Sequence, residues 1–123
     1  MKITRTVLIP SDSLDSDAAA GRHFGRAKWY LIIDSTGQYV EKIPGDKTTR
    51  CGGVLKHLQD KLPEAIIVNH MGFPAYQNAR FRNVAVMHMA PFRTAINAAT
   101  GYFHGELKPL GKEQIHGYPD FND

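Results

Sequence analysis

The run Trp29-Tyr30-Leu31-Ile32-Ile33 is the feature that most limits what this chain can become. A continuous apolar run of strand length is expected where both faces of a strand are covered, so it reads as an interior strand. Its neighbours supply the rest of a sheet. Lys2 to Ile9 is rich in β-branched residues and is closed by Pro10 and Ser11, which makes a first strand. Asp34-Ser35-Thr36-Gly37 carries turn chemistry, and Gln38 to Ile43 alternates well enough for a more exposed strand returning antiparallel as a hairpin.

Helical spacing begins later. Val54, Leu55, Leu58 and Leu62 recur at that period between the N-cap candidates Thr48 and Thr49 and the terminator Pro63. Ala65 to Val68 is a buried-type strand, Pro74 to Phe81 a short helix and Val84 to Met89 another strand, a βαβ unit with parallel strands. Pro91 opens a last helix whose Phe92, Ala95, Ile96 and Ala99 share a face, with Gly101 where a C-terminal cap belongs. The order βββαβαβα implies an α/β fold with a mixed five-stranded sheet and helices on both faces. The 123 residues, 42% hydrophobic, suit one core. We expect a single domain over residues 1–110 and an extended C-terminal tail over 111–123.

Charge and cysteine usage narrow the function classes. The 15 basic and 12 acidic residues are mixed along the chain, with no basic block of the kind that reads as a nucleic-acid arm. Cys51 is the single cysteine, so there is no intrachain disulfide, four-cysteine zinc site or complete cysteine cage for an iron–sulfur cluster. A free thiol suits a reducing compartment, and the run Val7-Leu8-Ile9 is too short for a signal segment or membrane span. The expectation is a cytoplasmic protein with neither membrane nor nucleic acid as partner.

Open α/β sheets bind ligands beyond the carboxyl ends of their parallel strands. If strands one, three, four and five run parallel and strand two antiparallel, the connections at that rim carry His23, Cys51, Asn69-His70-Met71 and His88-Met89. Each residue also has a plainer reading. His23 can be a hydrogen-bonded turn residue, Cys51 a small buried hydrophobe, His70 and His88 strand-end caps, and His57 a helix-flank residue. Met71, Met87 and Met89 can be core filler, and Arg22 and Arg26 solvated charges. Convergence changes the balance. Cys51 falls in the first turn of a helix, where thiolate is favoured, and the arginines can compensate a bound anion.

His23-Phe24-Gly25-Arg26-Ala27, followed by Trp29-Tyr30 and the strand Leu31 to Asp34, resembles the dinitrogenase iron-molybdenum cofactor family. The likeness spans roughly residues 1–110 and includes Lys2-Ile3 at the start, Cys51-Gly52-Gly53 at a helix start and Gly105-Glu106-Leu107 near the end. It implies a ribonuclease-H-like three-layer fold without nuclease chemistry. It also implies binding of an iron–sulfur or iron–molybdenum–sulfur cluster or its precursor, with cluster donor and acceptor proteins as partners. In carrier relatives the motif histidine is implicated in holding the cofactor, a role that carries over to His23 alone; Arg22, Phe24, Gly25 and Arg26 beside it in the sequence, with Cys51 and His70, complete the candidate cofactor-binding set. Position and soft-ligand chemistry make Cys51 the second metal ligand. Asn69-His70-Met71 departs from the small glycine-rich residues common in relatives, which makes His70 a local specialisation or a sign of a different ligand.

The leading expectation is therefore non-catalytic cluster carriage. An interaction or regulatory module with structural histidines, using Tyr118 and Phe121 to dock a partner, is the alternative; a hydrolase built on Cys51 and a histidine ranks below it. Two-metal nuclease chemistry is disfavoured, because the first strand has no carboxylate and Asp12, Asp15 and Asp17 lie in a loop.

Overall fold

Strand β1 (Thr6–Ser11) lies inside the sheet, with a partner along each side. A computed structural model describes residues 5–11, 27–45, 58 and 61–119. Strand β2 (Trp29–Asp34) pairs antiparallel with β1 from Thr6 opposite Asp34 to Ser11 opposite Trp29. Strand β3 (Tyr39–Pro44) continues antiparallel on β2, with a shift in register between Ile32 and Ile33. On the other side β4 (Ala65–Val68) runs parallel to β1, and β6 (Ala85–His88) runs parallel to β4. The sheet closes with β7 (Lys108–Pro109), antiparallel to β6, giving the order β3-β2-β1-β4-β6-β7. It has six strands rather than the five expected. A separate parallel ladder joins β5 (Met71–Gly72) to β8 (Ile115–His116).

Strand alternation sorts the apolar residues into two cores. Leu8, Tyr30, Ile32, Ile66 and Val68 pack with Ala75 and Ala79 of helix α1 (Phe73–Phe81). Val7, Ile9, Leu31, Ile33, Ala65 and Ile67 pack on the opposite face with Ala95, Ala98 and Ala99 of helix α2 (Ala95–Phe103). This is why the runs in β1, β2 and β4 have no polar alternation: each large side chain removed from water contributes about 1.5–3 kcal/mol. The hairpin between β2 and β3 is held by Asp34, whose Oδ1 accepts from the Thr36 N–H (2.9 Å), the Thr36 hydroxyl (2.6 Å) and the Gln38 N–H (3.1 Å). Gly37 takes the positive φ (86°) that the turn requires.

Beyond one-residue shifts at the ends of other elements, the structure corrects the sequence reading in the following places. Pro10 and Ser11 belong to β1, opposite Tyr30 and Trp29, where the parallel ladder to β4 registers only Val7 and Leu8. Helix α2 starts at Ala95 rather than Pro91; Thr94 caps it by accepting from the Asn97 N–H (3.3 Å). Gly101 is not its cap but a buried residue within it, where a Cβ would overlap the Phe92 ring. The positive-φ glycine after the helix is Gly105 (74°). Finally, of the extended tail expected over 111–123, the described residues to Pro119 are no appendage: from Lys108 onward the chain forms β7, a 3-10 turn at Lys112–Gln114 and β8, with Leu110 and Ile115 buried. Tyr118 packs on Phe73 and Tyr76, ring centres 5.3 and 6.3 Å away. Of the helix expected around Val54 to Leu62, Leu58 is described and buried and Leu62 is described and half-buried against the same core; residues 46–57, 59 and 60 lie outside the described residues.

The amino end of the parallel strands is clasped by Glu64. Its carboxylate accepts from Arg5 Nε (2.8 Å), Arg5 Nη2 (2.9 Å) and the Tyr102 hydroxyl (2.6 Å), tying α2 to the start of β1. Its N–H donates to Thr6 and its carbonyl accepts from Ala85. The Arg5 hydrogen bonds hold the Glu64 carboxyl below its ordinary 4.5, against the opposing effect of burial. Burial, then the bond to Glu64, pushes the Tyr102 hydroxyl up to about 12 from 10.0. The stabilisation from a depressed carboxyl is present above pH 4.5 and is lost as pH falls through the folded value; that from a raised phenol is present below pH 10 and is lost as pH rises towards about 12. Urea midpoints should fall in both windows. Glu64→Gln should flatten the acid limb, and Tyr102→Phe should flatten the alkaline limb at a cost of about 1 kcal/mol near neutrality. Variant profiles that overlay the parent would contradict the clasp.

Candidate functional site

Strands β1, β4 and β6 are parallel, and β3 shares their direction because both it and β1 are antiparallel to β2. Their carboxyl ends, Ser11, Pro44, Val68 and His88, therefore open on one rim, where β2 begins at Trp29. The connection that leaves Ser11 returns at Ala27 on that rim, and the next leaves it at Gly45. These two anchors are in contact. The Gly45 N–H donates to the Lys28 carbonyl (2.7 Å), and a Cβ on Gly45 would overlap the Ala27 carbonyl oxygen. Only glycine allows backbones to approach this closely.

Arg22, His23, Phe24, Gly25, Arg26, Cys51 and His57 lie outside the described residues. His70 is exposed at the rim, two residues beyond the end of β4. Its ring lies beside that of His116, with centres 5.4 Å apart. His88 ends β6, registered between Val68 and Lys108 and half-buried. Met71 and Met89 are core residues, each 1% exposed. Asn69 donates from Nδ2 to the Met89 sulfur (3.7 Å), and the Met89 N–H donates to the Val68 carbonyl (2.9 Å), so the chain leaving β4 is fastened to the chain leaving β6. His116 is the rim residue that sequence reasoning missed. A strand of two residues has no periodicity to reveal it.

Among the described residues, no group of three or more His, Cys, Asp or Glu side chains is arranged to hold a metal ion. A cavity of about 380 Å³ sits at the opposite end of the sheet, lined by Arg5, Asp34, Thr36, Thr100, Phe103 and His104 among others. Its charged groups already have internal partners: Arg5 holds Glu64, and Asp34 holds its own turn. No helix among the described residues is long and apolar enough to cross a membrane.

An open mixed sheet, covered by helices on both faces and with its loop-bearing rim at the carboxyl ends of the parallel strands, defines the class: a three-layer α/β protein built to present loops at one rim. The particular family follows from comparison with known proteins. Residues 5–104 match the model of the dinitrogenase iron-molybdenum cofactor family, and the chain belongs to that family. The apo form of the orange protein from Desulfovibrio gigas is similar, with a TM-score of 0.71 and 15% identity over 90% of this chain and 97% of that one. A protein provisionally named NifB from Thermotoga gives 0.68 and 23% over 86% and 93%. A provisional dinitrogenase from Methanocaldococcus jannaschii gives 0.63 and 19% over 89% and 98%. Likeness at these identities shows the fold. Comparison with curated proteins gives no match.

The anchor contact can be tested by substitution. Gly45→Ala should destabilise the protein by about 2 kcal/mol in urea unfolding, because overlap with a backbone carbonyl is not relieved by side-chain rotation. Gly72→Ala should be nearly neutral, since Gly72 has an ordinary φ of −72° and its nearest neighbour stands at 3.8 Å. Equal tolerance at both positions would remove the packing role of Gly45.

Proposed function

We propose that the protein carries an iron–sulfur or iron–molybdenum–sulfur cluster, or a precursor of one, as cargo at the carboxyl rim of its sheet, without catalysing a reaction. The observation that carries this reading is the Lys28–Gly45 anchor, which holds the flanks of two connections side by side. His23 lies four residues before Ala27 and Cys51 six residues after Gly45. At up to about 3.5 Å per residue the two can meet over the same rim. Membership of the family supports the choice of cargo.

In this reading His23 and Cys51 ligate iron, Arg22 and Arg26 offset the negative charge of the cluster, and Phe24 and Gly25 shape the loop that presents the imidazole. His70 contacts the cargo from the connection after β4. With so few protein ligands the cluster keeps most bonds to its own sulfides, which suits a protein that receives cargo from a donor and yields it to an acceptor. The three layers and the strand order support a ribonuclease-H-like fold, and β1 (TVLIPS) carries none of the carboxylates a two-metal nuclease needs. A free Cys51 thiol fits the cytoplasm.

A second reading, an interaction module with no cluster, is favoured by one surface: Phe81 is 86% exposed on α1, beside Tyr76 and Tyr118. Anaerobic reconstitution with iron and sulfide, with and without molybdate, separates the two. After desalting, the carrier reading expects visible charge-transfer absorption and bound iron, with uptake by His23→Ala reduced about tenfold or more at unchanged circular dichroism. No iron uptake, or full uptake by His23→Ala, would overturn it.

A further inference from the structure

Met71 and Ile115 are buried under the β5–β8 ladder, 1% and 5% exposed, and strand alternation turns their neighbours outward. Met71 stands opposite Ile115 and Gly72 opposite His116, so His70 and His116 share the outer face of the ladder. Both are exposed, and Gly72 puts no side chain beside them. The ring centres are 5.4 Å apart, with planes inclined by 30°.

We infer that His70 and His116 form a two-histidine site for a divalent transition-metal ion of the zinc or nickel kind. With a Zn–N bond of about 2.1 Å and about 1.1 Å from ring nitrogen to ring centre, two imidazoles at tetrahedral positions have centres about 5.2 Å apart. In this structure the two rings are stacked, with centres within a few tenths of an ångström of that separation; turning both exposed side chains about χ1 and χ2 brings one in-plane nitrogen of each ring onto a common ion. Neutral imidazole is a good ligand for such ions, and water completes the shell. The two strands are fixed from below by Met71 and Ile115, which pre-organises the pair. A bound ion staples the segment ending in β8 to the connection after β4. This site shares His70 with the cargo reading but takes a single hydrated ion on described residues, and it stands whether or not a cluster is carried.

The test is calorimetric titration of the reduced full-length protein with zinc chloride in a non-chelating buffer. It compares the parent with His70→Ala, His116→Ala, His104→Ala and His23→Ala. The expected result is a zinc site weakened at least about tenfold by His70→Ala and by His116→Ala but unchanged by His104→Ala. Its retention in His23→Ala separates it from the cluster site. Absence of zinc binding in the parent, or affinity kept in His70→Ala or His116→Ala, overturns the inference. Should either variant fail to fold by circular dichroism, imidazole NMR of the parent decides: zinc should shift the His70 and His116 rings together, and unshifted rings overturn it.

Discussion

Strand β1 must bury both of its faces, and the layers of the molecule answer that demand. Val7 and Ile9 point one way and Leu8 the other, all fully buried, so neither face of β1 tolerates water. One helix cannot cover two faces. Helix α2 covers the face that carries Val7 and Ile9 and α1 the face that carries Leu8, each through alanines that let the helix come close to the sheet. Direction follows from the same pairing. Because β2 returns antiparallel while β4 and β6 run parallel, the hairpin and the βαβ unit release their chain ends onto the same rim.

The two ends of the sheet are built differently. At the amino end, Glu64 joins Arg5 and Tyr102 in a charged clasp, and the polar groups are consumed by internal bonds. At the carboxyl end the chain is held mainly through backbone: Gly45 to Lys28, Met89 to Val68. Side chains there are left to the connections, which carry His23, Cys51 and His70. On the proposed carrier reading, a frame fastened through its backbone suits a protein that holds cargo and then lets it go.

Much of this was legible in the sequence because it rests on periodicity and turn chemistry. The interior strands, the hairpin at Asp34 to Gly37 and the βαβ unit all leave strong local patterns. The sixth strand and the β5–β8 ladder do not, since two residues cannot show alternation and their pairing is decided by tertiary contacts. Gly101 mimics a helix cap because sequence cannot distinguish a glycine that needs unusual φ from one that makes room for Phe92. The rim itself could be deduced from strand order. Yet His116 escaped, because it lies 46 residues from His70 and meets it only through the ladder. The roles of His23 and Cys51 rest on motif and chemistry; their positions lie outside the described residues.

Cluster carriage by His23 is the central claim, and the electron spin of a reduced, cluster-loaded sample tests it most directly. Pulsed paramagnetic resonance on protein labelled with ¹⁵N-histidine should show one strongly coupled imidazole nitrogen that disappears in His23→Ala. A loaded cluster with no coupled imidazole, or with a coupling that survives that substitution, would contradict the account.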